Sequence, residues 1–310
     1  MAAGYAGRLL IEPGQSTHTF DASSERYTFD SETIRRQTSM LELLGLRGER
    51  DKYYGRVTNG RYSVSGGLTM RPGEAGLAQW LPRAFYGASE YDLDNSIPAS
   101  AYFGVLIDKV ADIHQFNDCV VSRCVFRGSA GQALTMQLDI VGMTETLPAW
   151  PGGEPDEFTY ATDELPILFN TGTLTLDDTE HYFEDFELTI DNAVVPRFGY
   201  EETAQTLTPA DRVVTLRVNM DYESNFYGAE TAITGSLEFV PQTTNEFGFH
   251  FPKLIAGKST PVVTTKGPVM NNVTFTAYAD TYTHYTDYEL YVTGAGGDEI
   301  ILPLLLQATL

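Results

Sequence analysis

Apolar residues recurring at every second position constrain this chain more than any other feature. Side chains two apart share one face of a β-strand, whereas a helical face needs spacings of three and four. Within residues 61–70, Tyr62, Val64, Leu68 and Met70 fall on one face and Arg61, Ser63, Ser65 and Thr69 on the other. The same alternation runs through Leu134/Met136/Leu138/Ile140, Phe186/Leu188/Ile190, Val214/Leu216/Val218/Met220 and Val273/Phe275. Each run reads as a strand with one face in a core and the other in water. The 18 Tyr and 17 Phe suit such pleated, half-buried surfaces. The expected class is all-β.

One segment keeps a helical period. Between Gly73 and Tyr86, Leu77, Leu81 and Phe85 recur every four residues, Glu74 sits in the first turn, and Gly87 follows as a stop. A small helix is therefore expected near 74–86, with a weaker helical pattern over 222–233. Turn-rich stretches cover 88–100 and 147–166, the second with a Pro-Gly-Gly-Glu-Pro-Asp-Glu run from Pro151 to Glu157.

These breaks divide the 310 residues into an N-terminal arm with the first strands (1–54), a first β domain carrying the helix (55–148), a linker (149–165) and a second β domain (166–310). An internal echo accompanies the division. Phe116-Asn117-Asp118 precedes the run 133–140, and Phe183-Glu184-Asp185 precedes the run 213–220. The halves read either as two related β domains in tandem or as one large β unit whose hairpins share alternation.

A catalytic or nucleotide site leaves a local trace, and none of the recognisable motifs occurs: no G-x-x-x-x-G-K-[ST], H-E-x-x-H or G-x-S-x-G, and no G-x-G-x-x-G between strand and helix. Gly128-Ser129-Ala130-Gly131 and Gly294-Ala295-Gly296-Gly297 read as hairpin turns. His18, His114, His181, His250 and His284 are scattered, with no metal-ligand spacing. The run Asp177-Asp178-Thr179-Glu180, with Glu184, Asp185 and Glu187 beyond it, lacks the alternating carboxylates and central Gly of a calcium loop, and reads as a solvated hairpin tip. Cys119 and Cys124, five apart in a strand, are expected on opposite faces and unbridged. No enzyme activity, cofactor or metal is expected.

Charge narrows the partners. Net charge is −22, with only five Lys (Lys52, Lys109, Lys253, Lys258, Lys266). Such a surface gives polyanions no general attraction, and fits either a saline medium or a surface that repels nucleic acid. No apolar stretch approaches the about 20 residues that cross a bilayer. The longest, 300–310, reads as a closing core strand, and the first residues lack the apolar core of a secretory signal. No membrane partner is expected.

Three passages taken together resemble the tail tube (major tail) proteins of long-tailed bacterial or archaeal viruses. They are Gly60-Arg61-Tyr62-Ser63-Val64-Ser65-Gly66-Gly67-Leu68-Thr69 with the helix end Arg83-Ala84-Phe85-Tyr86-Gly87, then Asp118-Cys119-Val120-Val121-Ser122-Arg123-Cys124-Val125-Phe126, then Phe186-Glu187-Leu188-Thr189-Ile190-Asp191-Asn192. The resemblance covers most of residues 55–280. It implies a β-sandwich or barrel with a small flanking helix and a structural virion protein made in the host cytoplasm. It also implies a homo-oligomeric ring of three or six, stacked into a hollow tube with other tail proteins at its ends and DNA passing through without specific binding. By the same resemblance, an extended N-terminal arm or the loop 43–54, with Arg47, Glu49, Arg50, Asp51 and Lys52, is the candidate contact to the adjacent ring; the other reading of that charged stretch is an ordinary solvated loop. The alternative is a carbohydrate-binding or adhesin-like β-sandwich, which needs exposed aromatics; Trp80 and Trp150 are the only tryptophans.

Overall fold

The computed structural model of the protein describes residues 8–15, 18, 20, 24–42, 57–86, 97–109, 112–148, 165–221, 232–239, 247–257, 270–278, 289–293 and 299–303. The chain enters through β1 (Arg8–Pro13), β2 (Glu25–Tyr27), β3 (Ser31–Glu32), β4 (Arg35–Glu42) and the 14-residue β5 (Val57–Met70). Helix α1 (Glu74–Ala84) follows, then β6 (Phe103–Asp108), the 17-residue β7 (Ile113–Ser129), β8 (Thr135–Gly142) and β9 (Thr144–Thr146). Beyond these come β10 (Gly172–Leu176), β11 (Thr179–His181), β12 (Phe183–Asp191), β13 (Val195–Arg197), β14 (Thr206–Thr208) and β15 (Val213–Asp221). The last strands are β16 (Ile233–Phe239), β17 (Phe247–Ala256), β18 (Met270–Tyr278), β19 (Glu289–Thr293) and β20 (Glu299–Pro303).

Alternation in sequence becomes alternation in burial. Val64, Leu68 and Met70 of β5, Met136, Leu138 and Ile140 of β8, Phe186, Leu188 and Ile190 of β12, and Val214, Leu216, Val218 and Met220 of β15 are all buried. They belong to one core cluster with Val273 and Phe275 of β18. The fold is all-β and sandwich-like, as the period-two pattern requires.

Hydrogen bonding runs antiparallel from β5 through β8, β7, β12, β15, β18, β17 and β16 to β10 and β11. A single residue, Tyr182, separates β11 from β12, so the ladder that leaves β12 through β15, β18, β17, β16 and β10 ends on the strand that precedes β12 in the chain. Phe126 meets Phe249 and Phe186 meets Phe239 across the interior, each pair with centroids 5.5 Å apart. The two passages that echo one another in sequence form the adjoining pairs β7–β8 and β12–β15, and β7 and β12 are themselves hydrogen-bonded.

β7 corrects one expectation. Its register slips by one residue between the pairs Phe103↔Cys119 and Val105↔Phe116, where Asp118 takes φ 52°, and again between Val121↔Ile140 and Arg123↔Asp139. An extra residue in a strand inverts the facing of everything beyond it. Cys124 pairs with Leu138, and Cys119 abuts Gly142, where a Cβ would lie 2.7 Å from its Sγ. Positions 138 and 142 share a face, so both thiols point into the same core rather than to opposite sides. They stay free, being four strand positions or about 13 Å apart.

Helix α1 spans 11 residues and buries Leu77, Trp80, Leu81 and Phe85. Trp80 packs edge-on against Tyr27 at 5.8 Å and Phe103 at 5.7 Å, which seats the helix over the β2 and β6 end of the molecule. The left-handed residue that ends it is Tyr86 (φ 62°), one position before the expected Gly87. Of the weaker helical pattern at 222–233, residues 222–231 lie outside the described residues, and Ile233 opens β16. Of the run 300–310, residues 300–303 belong to β20, paired with β19, and the rest lies outside.

Candidate assembly surface

Among the strands whose burial is described, β4 is the most exposed. Seven of its eight residues are exposed, with Met40 74% and Leu41 58% accessible. Among the described residues it pairs with β5 alone, and Val57, Thr58 and Asn59 opposite its far end are exposed too. The two strands thus run out as a ribbon with apolar residues at its tip. An isolated two-stranded ribbon is marginal in water, so this one depends on its root.

Ile34, fully buried, pins the root into the core. Its backbone crosses so close over Gly66 that a Cβ there would collide with Ile34 Cα and the Thr33 carbonyl. The Thr33 hydroxyl accepts from the Gly67 N–H at 2.8 Å. Farther out, the Ser39 hydroxyl donates to the Arg61 carbonyl (2.9 Å), and the Arg36 guanidinium lies 3.6 Å from the centre of the Tyr62 ring. The Tyr62 N–H donates to the Glu202 carbonyl at 2.7 Å, which ties the ribbon to the loop between β13 and β14.

A second open edge lies at β11, which pairs only with β10 among the described residues. The tight turn Asp177–Asp178 between them places both residues at positive φ (49° and 60°), a conformation Asp tolerates. Beyond it Glu180, Tyr182 and Glu184 alternate outward while His181 and Phe183 face the core. The acidic run thus occupies an exposed hairpin and the strand leading from it. Among the described residues no three His, Cys, Asp or Glu side chains are grouped to hold a metal ion.

The outward face of β7, β12 and β15 matches cation to carboxylate across strands. Arg127 donates to Glu187 at 2.6 Å, holding the Glu187 carboxyl below its usual range through that hydrogen bond and charge. Arg217 lies 3.9 Å from Asp185, which also accepts from the Asn219 amide at 3.1 Å.

Three distant passages meet beneath α1. The Asn192 amide nitrogen donates to the carbonyls of Ala84 (2.8 Å) and Val121 (3.2 Å), while its oxygen accepts from Arg212 Nε (2.7 Å). Arg212 Nη2 donates to the Phe85 carbonyl at 3.1 Å, so two side chains satisfy carbonyls left open at the helix C-terminus. The Tyr86 hydroxyl donates to the Val121 carbonyl at 3.0 Å, and burial pushes that phenol well up. Burial also lowers Arg212, to about 10, which leaves it charged at neutral pH.

Arg47, Glu49, Arg50, Asp51 and Lys52 lie outside the described residues. The last described pair before them is Glu42↔Val57, at the ribbon tip. Trp80 is fully buried and offers no exposed platform for sugar stacking, and Trp150 lies outside the described residues. Residue patterning did not single out β4, because Arg-Arg-Gln-Thr-Ser-Met-Leu-Glu has no core face to alternate against.

The family model described as phage tail tube protein matches residues 9–277. No curated protein matches the chain. The match spans the ribbon, the Asn192 junction and the ladder from β12 to β11 alike, and the chain belongs to the phage tail tube protein family, a structural component of the virion tail.

Proposed function

We propose that this chain is a non-catalytic subunit that assembles with copies of itself into rings of three or six, stacked into the hollow tail tube through which viral DNA is delivered. The observation that carries the reading is the open edge of β4 on an exposed ribbon, in a chain of the tail tube family. Unpaired strand edges are templates for another chain, and closing a ring leaves no edge free. The subunit is made in the host cytoplasm, meets other tail proteins at the tube ends, and uses no cofactor or membrane. The loop bearing Arg47, Glu49, Arg50, Asp51 and Lys52 reaches toward the neighbouring ring.

DNA passes without being held. A net charge of −22 repels phosphate, and the cations Arg127 and Arg217 are matched to carboxylates on their own sheet face. Free guanidinium groups would instead bind phosphate through counterion release. Sedimentation velocity across a concentration series tests the assembly: the reading expects discrete rings and longer stacks growing with concentration. A single monomer boundary throughout, in low and high salt, contradicts it.

A further inference from the structure

We infer that β4 of one subunit docks against the acidic β11 edge of the next, so that contact around the ring is head-to-tail and set by charge. This rests on the self-assembly reading above and identifies the surfaces that carry it.

Arg35 and Arg36 are adjacent on β4 and both exposed. Among the described residues neither has a carboxylate within ion-pair distance, and Arg36 is pre-oriented by its stack on Tyr62. The other open edge carries the opposite sign: Asp177 and Asp178 at the turn, then Glu180 and Glu184 on the outward row either side of Tyr182, which is 64% exposed. Neither Glu180 nor Glu184 has a cation within ion-pair distance among the described residues.

The signs decide which edges can meet. Two β11 edges related by a two-fold axis bring carboxylates together, so that self-pairing is opposed. β4 against β11 satisfies both edges. A contact between two different surfaces of identical subunits is heterologous, and it closes into a ring when the rotation allows. It also gives a strongly acidic chain a local attraction able to overcome its general self-repulsion.

Charge exchange tests this on purified full-length chains, with assembly read by sedimentation and electron microscopy and folding by thermal melting. Arg35→Glu with Arg36→Glu, and separately Glu180→Lys with Glu184→Lys, should each cut assembled material at least about tenfold while leaving the melting midpoint close to wild type. All four substitutions in one chain should restore assembly to within about twofold of wild type, since reversed edges again attract. If either reversal lowers the melting midpoint, Arg35→Gln with Arg36→Gln replaces it, with a smaller loss expected. One-sided variants that assemble as wild type does, or a fourfold variant no better than they are, overturn the inference while leaving self-assembly intact. Wild-type protein that stays monomeric overturns both.

Discussion

The side-chain nitrogen of Asn192 sits 2.8 Å from the main-chain carbonyl of Ala84, 108 residues earlier, at the last residue of the only α-helix among the described residues. The same nitrogen reaches Val121 on β7, so one buried amide fixes the helix, the central strand and the end of β12 to one another. Asn192→Asp turns this donor into an acceptor facing two carbonyl oxygens. We expect a loss of about 3 kcal/mol in urea unfolding, from buried groups left unsatisfied.

The glycines of β5 and α1 respond in opposite directions. At Gly66 a methyl group strikes the backbone of Thr33 and Ile34, neither of which is a side chain that can swing away. Gly66→Ala should cost about 2 kcal/mol by overpacking and loosen the ribbon root. Gly76 lies within α1 with open space where a Cβ would stand, so Gly76→Ala should add about 0.5–1 kcal/mol through helix propensity. Paired thermal melts of the two variants check the contrast.

Acid should remove the contribution of Glu187. Its folded-state pKa is depressed, by the hydrogen bond from Arg127 first and by charge second, so its stabilisation is present above the unfolded value near 4.5 and is lost as pH falls through the lowered one. Glu187→Gln should therefore cost about 0.5 kcal/mol at pH 7. The variant and wild type should converge once the pH drops below the folded value, as read by denaturant midpoints across pH.

Salt should stabilise the fold. With 42 acidic against 20 basic residues, self-repulsion opposes the compact state and weakens as the screening length shrinks. The melting temperature should rise steadily from low salt toward molar salt; a flat or falling curve contradicts this account of the acidity.

How much was legible in the sequence follows from which physical signals are local. Alternating runs such as Val214 to Met220 declare themselves because a strand with one buried face imposes period two. Phe85 and Leu81 mark the helix for the same reason at a different period. What failed was counting across a bulge: Cys119 and Cys124 share a face because Ser122 interrupts the count between them, and an extra residue carries no mark of its own. The left-handed stop at Tyr86 was equally silent, since a phenol held by Val121 and packed near Arg212 takes a conformation that sequence assigns to Gly87. Asn192 stood in a recognised passage, yet its role depends on partners 71 and 108 residues away. Strand β4 escaped notice because it faces water on both sides.

The central claim is self-assembly into a tube, and electron microscopy of the purified chain at high concentration and raised salt tests it most directly. The account predicts hollow stacked rings with threefold or sixfold symmetry. Isolated monomers under every condition, from protein that melts cooperatively, would contradict it.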